Sequence, residues 1–151
     1  LEQCVHIETA SFPEAEAAPR SSIETRIREF SQGFLVAEQA GTIVGQINSG
    51  ATSKDDITDE ALKTLETHEA DGKNLVVFSL SVLPEFRCHG VGAKLLQAFT
   101  HLAGKQNREA VLLLCKDELV PFYERSGFTL IGPSACAHGG ASWQEMRFGV
   151  A

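Results

Sequence analysis

The chain has 151 residues, enough for one domain that buries a core without metal or disulfide support. Its 20 acidic and 13 basic residues leave a net charge of -7, and the basic residues form no stripe, which excludes a nucleic-acid surface. No apolar run approaches the roughly 18 residues of a membrane span, and Cys4, Cys88, Cys115 and Cys136 are too irregularly spaced for a disulfide framework. These properties predict a cytoplasmic protein with reduced thiols, away from membranes. No secretory leader is visible, and Leu1 in place of Met implies a start inside a longer chain.

Leu1, Cys4 and Val5 stand at helical spacing and predict a helix from Leu1 to Ala10 that stops near Phe12-Pro13. After the small, acidic stretch from Glu14 to Pro19, Ser21-Ser22 as a cap predicts a second helix to about Phe30, with Ile23, Ile27 and Phe30 inward. Phe34 to Ala37 and Ile43 to Ile47 predict a hairpin across Gln39-Ala40-Gly41. The polar segment from Ala51 to Gly72 contains a predicted helix, Asp59 to His68. Leu75 to Val82 is a near-continuous apolar run, suited to a central strand, and Pro84 ends it.

From Gly92 to Lys105, the residues Leu95, Leu96, Phe99, Leu102 and Ala103 form one helical stripe. Ala110 to Cys115 is a second buried strand. Asp117 as N-cap, Pro121 in the first turn and Gly127 as stop predict a short helix. Phe128 to Ile131 and Trp143 to Val150 supply two closing strands. The whole, 1–151, is expected to be a single α/β (α+β) domain with helices on both faces of a mixed sheet.

Between the Val82 strand end and the next helix lies Arg87-Cys88-His89-Gly90-Val91-Gly92. The first turn of a helix has unpaired N–H groups and a partial positive charge, and both suit a pyrophosphate. Gly90 and Gly92 permit close approach, and Arg87 adds a fixed cation. Two glycines can equally do no more than turn a strand into a helix. A Rossmann fingerprint and a Walker loop are both excluded, for want of the third glycine in one and of Gly-Lys-Ser/Thr in the other. What remains is Arg-x-x-Gly-x-Gly after a central strand.

That segment resembles the coenzyme A signature of the GNAT superfamily of N-acetyltransferases, with the nearest likeness to the serotonin (arylalkylamine) group. Ser79-Leu80-Ser81-Val82 with Phe86 to Gly92 is similar to their cofactor strand and loop, and Leu113 to Phe128 matches their next block nearly residue for residue. Pro133 to Met146 keeps the terminal spacing to Glu145-Met146. The likeness runs from Leu1 to about Phe148, and the family's first strand is missing from the sequence. It implies the GNAT fold, a mostly antiparallel sheet, and acetyl-CoA as acyl donor. Leu80, Ser81 and Val82 would then pair with pantetheine, and the amides of Cys88, His89, Gly90, Val91, Gly92 and Ala93 would hold the pyrophosphate. Tyr123 and Arg125 would lie on the same side.

The resemblance makes Tyr123, the only tyrosine, the general acid for coenzyme A sulfur; the alternative is a half-buried core residue with a wet hydroxyl. The family's two strand histidines fall on Val76 and Phe78, neither of which accepts a proton. The base is therefore another group, a water chain, or unnecessary; His138, Glu14 and Glu16 are candidates, each also readable as a loop residue. His6, His68 and His101 read as helical surface or packing residues without metal-ligand spacing, and no metal is expected. Cys115 ends a buried strand without a histidine partner, which favours direct transfer over an acetyl-enzyme. Phe12, Pro13, Leu114 and His138 are the expected walls for a small acceptor, an arylalkylamine or polyamine. A protein or peptide amine, and a non-catalytic acyl-CoA sensor, are the competing readings. The expected assembly is a monomer or homodimer.

Overall fold

The computed structural model describes residues 1–55, 57, 60–87, 89–134 and 143–150. Helix α1 (Glu2–Ser11) buries Cys4, Ile7 and Glu8, so its inward face is turned away from the predicted Val5. Helix α2 (Arg20–Glu29) starts one residue early, after Pro19 at φ -69°, with no side-chain cap. Ser22, expected to help cap it, is buried within the helix beside Ile23 and Arg26.

Strands β1 (Phe34–Gln39) and β2 (Thr42–Thr52) form the predicted hairpin, closed by Ala40 and Gly41 at positive φ, as two-residue turns demand. β2 runs five residues past the predicted Ile47. Its polar extension is stabilised by side-chain bonds, with Asn48 accepting from Arg26 and Ser49 donating to the Gly33 carbonyl.

The predicted helix from Asp59 to His68 is instead one 3-10 turn, Glu60–Thr64, which Leu65 ends at φ +65°. Asp59 itself lies outside the described residues. His68 is therefore not helical; its Nδ1 accepts the Ala51 amide at 2.9 Å and its ring meets Phe30 edge-on.

Strand β3 (Asn74–Val82) leads through a 3-10 turn (Pro84–Phe86) to helix α3 (Val91–Lys105), which buries Leu95, Leu96, Phe99 and Ala103. Strand β4 (Ala110–Cys115) is followed by a 3-10 turn (Asp117–Leu119) and helix α4 (Val120–Arg125); Lys116, not Asp117, precedes the turn. Strands β5 (Thr129–Pro133) and β6 (Gln144–Gly149) complete a sheet of order β1-β2-β3-β4-β6-β5. Only β3 and β4 run parallel.

The core has two sides. Val44 packs with Ile7 of α1 and Val76 with Ile57 and Leu62, whereas Ile47, Leu75 and Val77 join Leu96 and Phe99 of α3. The sheet is thus covered on both faces, as expected. No helix among the described residues is long and apolar enough to cross a membrane.

Two irregularities decide what this sheet can bind. Asn48 pairs with Ser79 and Ser49 with Val77, so Phe78 is an extra residue bulged out of β3. β3 also pairs with β4 only from Asn74 to Val77, while Leu114 and Cys115 pair with β6. From Ser79 to Val82, β3 is therefore paired on its β2 side alone, and the parallel strands part.

Gly72 fixes the return into β3. A Cβ there would lie 2.6 Å from the backbone N and C of Thr52, atoms that no rotamer change can move. Gly72→Ala is expected to lower the unfolding free energy by about 1–3 kcal/mol, read as a lower denaturant midpoint at unchanged slope.

Candidate active site

A cavity of about 630 Å³ follows the open edge of β3 to the start of α3. Leu80, Ser81 and Val82 line it from the strand, Arg87 and Gly90 from the connection, Val91, Gly92 and Ala93 from the first helical turn, and Tyr123 and Arg125 from α4. Gly90 precedes the helix at φ 80° and ψ 6°, a left-handed conformation favouring glycine. The Lys94 amide is the first to bond back into the helix, to the Gly90 carbonyl at 3.0 Å, which leaves the amides of Val91, Gly92 and Ala93 outside the helical ladder. A Cβ on Gly92 would come no closer than 3.6 Å to protein, at Phe122. The protein therefore leaves ordinary room there, and the groove is where the missing side chain matters. Arg87 Nε donates to the Val82 carbonyl at 3.0 Å and so holds its guanidinium at the rim. His89 is exposed and lines neither cavity; Cys88 lies outside the described residues.

A second cavity, about 460 Å³, opens between α1, α2 and the ends of β3 and β4. Phe12, Pro13 and Leu114 line it, and His138 lies outside the described residues. Glu14 is exposed and does not line it. Glu16 does line it, and its carboxylate is held by the Lys116 ammonium at 2.8 Å rather than solvated. The two cavities share Ser11, Phe12, Leu80, Leu119 and Tyr123.

The second cavity also holds buried charges that sequence reasoning missed. Glu8, 3% exposed, accepts from the Ser79 hydroxyl at 2.7 Å and from the Ala18 amide at 2.8 Å. Arg26, 3% exposed, donates to Asn48 Oδ1 at 3.1 Å and to the Lys63 carbonyl at 3.1 and 3.3 Å, and its guanidinium sits 4.5 Å above the Phe78 ring. Burial pulls its pKa down to about 10, against the opposing effect of Glu8, and it stays cationic at neutral pH. The one available signal was an acid sharing the helical face of Cys4 and Ile7. Val76 is 1% exposed in the core, while the bulge brings Phe78 under Arg26 and its neighbour Ser79 to Glu8.

Tyr123, at the junction, is buried against Phe122 and Phe128 with centroids at 5.0 and 5.7 Å. Burial, and secondarily Cys115, push its phenol well above the ordinary value. Burial, then Asp117 and Glu118, raise the Cys115 thiol to about 11. It is a protonated, poorly nucleophilic group at neutral pH. Among the described residues, no group of three or more His, Cys, Asp or Glu side chains could hold a metal.

The family model of the acetyltransferase (GNAT) domain matches residues 2–149. Serotonin N-acetyltransferase of Mesocricetus auratus is 37% identical over 121 residues, 79% of this chain and 55% of that protein. The Homo sapiens protein of that name is 34% identical over 120 residues, with the same coverages. The chain thus spans about half the length of the curated relatives it matches. Among solved structures, the loading GNATL domain of CurA from Lyngbya majuscula superposes with a TM-score of 0.85 at 15% identity, covering 98% of this chain and 92% of that one. Arabidopsis thaliana Naa50, in complex with the bisubstrate analogue CoA-Ac-MVNAL, gives 0.73 at 18%, covering 97% and 90%. These structural likenesses establish a shared fold.

Because Tyr123 is the only tyrosine, phenolate absorbance reads it alone. A titration is expected to show no ionisation near pH 10, where a free phenol titrates, until the protein unfolds. Stability is correspondingly lost as pH climbs above about 10, since the unfolded chain ionises there and the folded one does not. An ordinary midpoint in the folded protein would overturn the burial.

Proposed function

The chain belongs to the GNAT acetyltransferase family, and on that premise we propose that it transfers acetyl from acetyl-CoA to the nitrogen of a small primary amine. The observation that carries this reading is the meeting of the two cavities at Tyr123, with Glu8 on one side and the helix α3 amides on the other.

The donor half follows from unpaired backbone. The free edge from Phe78 to Val82 suits the amide-bearing pantetheine arm, which can add as a short strand, with Leu80, Ser81 and Val82 as its partners. The amides of Val91, Gly92 and Ala93, with Arg87 and Arg125 nearby, suit the pyrophosphate. Cys88, His89 and Gly90 belong to the same connection, Gly90 by its backbone conformation.

On the acceptor side, Ser79 and Glu8 form the proton route. An ammonium in the cavity gives a proton to the Ser79 hydroxyl oxygen while that hydroxyl passes its own to Glu8, and the freed nitrogen attacks the thioester carbonyl. Attack leaves that nitrogen one proton above the amide; when the C–S bond breaks, sulfur departs as a thiolate beside Tyr123 and takes up this second proton, so that amide and coenzyme A thiol are released. A phenol raised above its usual range is a weaker acid than a thiol of pKa about 8.5. The general-acid role expected for Tyr123 therefore narrows to a hydrogen bond that stabilises the thiolate. Cys115 takes no part.

Phe12, Phe78 and Trp143 give the acceptor cavity aromatic walls, and Arg26, Lys63 and Lys116 line it too. Lys116 is paired with Glu16, but the Arg26 guanidinium still favours an arylalkylamine over a polyamine, whose further ammonium groups would meet it. The likeness to serotonin N-acetyltransferases supports the same choice.

Thiol release from acetyl-CoA against a panel of arylalkylamines tests the reading. Glu8→Gln is expected to lower kcat/KM by about 10²–10⁴-fold without changing acetyl-CoA affinity. Tyr123→Phe is expected to lower kcat by roughly tenfold or more. Acetyl-CoA binding with no thiol released by any amine would make the protein a sensor instead. Separately, Gly92→Ala is expected to leave thermal stability within about 0.5 kcal/mol while weakening acetyl-CoA binding. Unchanged affinity would remove the pyrophosphate from this helix end.

A further inference from the structure

The acceptor cavity contains two buried, opposite charges that do not pair with each other. Glu8 and Arg26 are each 3% exposed and both line the same space. Among the described residues, no ion pair within 4.0 Å joins them. Glu8 is bonded by a hydroxyl and an amide, Arg26 by a side-chain amide oxygen and a carbonyl. Every one of those partners is neutral. Glu8 still acts on Arg26 through space and opposes the lowering of its pKa, but neutral hydrogen bonds leave each buried ion without a charged partner in contact, which is costly in a low-dielectric site.

Arg26 is also fixed in place. Phe78 lies 4.5 Å beneath its guanidinium, and Asn48 and Lys63 anchor three of its donors. A guanidinium has five N–H groups, so Nη1 and Nη2 each keep one beyond those bonds. A planar, pre-oriented guanidinium with donors to spare is suited to a carboxylate, which it can bind as a charge-assisted pair.

We propose that the acceptor is an arylalkylamine that also carries a carboxylate, that is, an aromatic amino acid or a close analogue. This rests on the acetyl-transfer reading and names the substrate class within it. The ammonium faces Ser79 and Glu8, the carboxylate sits on Arg26, and the ring lies among Phe12, Phe78 and Trp143. Such a zwitterion gives each buried charge an opposite charge in direct contact, which Glu8 and Arg26 do not give each other. A plain monoamine answers Glu8 and leaves Arg26 as it was. A polyamine sets like charge against Arg26.

Isothermal titration of the protein saturated with coenzyme A decides it, using matched ligands: phenylalanine against 2-phenylethylamine and against phenylalaninamide, and tryptophan against tryptamine. The carboxylate-bearing member is expected to bind about tenfold or more tightly, the scale of one charge-assisted contact. Arg26→Gln is expected to erase that preference. Because Asn48 and Lys63 lose a donor in this variant, the wild-type ligand comparison decides alone if it fails to fold. Equal or tighter binding of the carboxylate-free amine, or no binding of either, overturns the proposal. Thiol release is read in parallel. A carboxylate preference in binding with no thiol released sinks acetyl transfer and keeps the recognition; equal turnover of tryptamine and tryptophan does the reverse.

Discussion

The parting of β3 from β4 after Val77 is the constraint on which both cavities depend. In an unbroken parallel pair, the backbone groups from Phe78 to Val82 would be spent on β4, and side chains would fill the space between. The bulge at Phe78 and the end of the β3–β4 pairing at Val77 and Leu113 release that edge. A strand with an exposed, unpaired edge inside a fold is a liability unless something pairs with it. Here the edge leads into the first turn of α3, whose amides are also outside any ladder. Two sets of unsatisfied backbone donors and acceptors thus lie along one groove. The bulge has a second consequence: by adding a residue, it puts Phe78 and Ser79 to use on the same side, one under Arg26 and the other against Glu8.

Much of this was legible in the chain, because local chemistry dictated it. All six strands, the α3 stripe and the Gly90 turn follow from periodicity and from a position that demands positive φ. The groove residues from Leu80 to Ala93 fall together because a strand, a turn and a helix start are contiguous in sequence, and Tyr123 joins them because β4, which leads to α4, runs parallel beside β3. What was not legible depended on contacts far apart along it. Glu8 looks like a solvent-facing acid until Ser79, 71 residues away, is brought to it. Arg26 looks like one more helix cation until Asn48 and Lys63 close on it. The apolar run from Leu75 to Val82 announces a buried strand and hides its bulge, since a nearly continuous run has no alternation to break. The segment after Ala51 read as a helix on composition, but Leu65 at positive φ and the His68 bond to Ala51 fold it back as a turn.

Burying Glu8 and Arg26 without pairing them is expensive for folding, and similar volumes of apolar side chain would serve the core as well or better. Arg26 does tie α2 to β2 and to the Lys63 turn through three bonds, yet an apolar residue in its place would need no such ties. Sites that hold unpaired buried charge are where a fold departs from its stability optimum. Their common address, one cavity that opens onto Tyr123, points to recognition rather than to architecture.

The shared wall of the two cavities also bears on the order of events. A covalent relay through the enzyme would need a nucleophile at the junction that can be ionised near neutral pH. Cys115 lines the second cavity, and burial together with Asp117 and Glu118 holds it protonated. Tyr123 is held neutral in the same way. Neither can attack, but a neutral phenol can stabilise charge that develops on a leaving atom beside it. On the acetyl-transfer reading, with neither Cys115 nor Tyr123 suited to carry the acyl unit, donor and acceptor are expected to be present together, each entering from its own cavity. The wall of Ser11, Phe12, Leu80, Leu119 and Tyr123 is then what brings their reacting ends into contact.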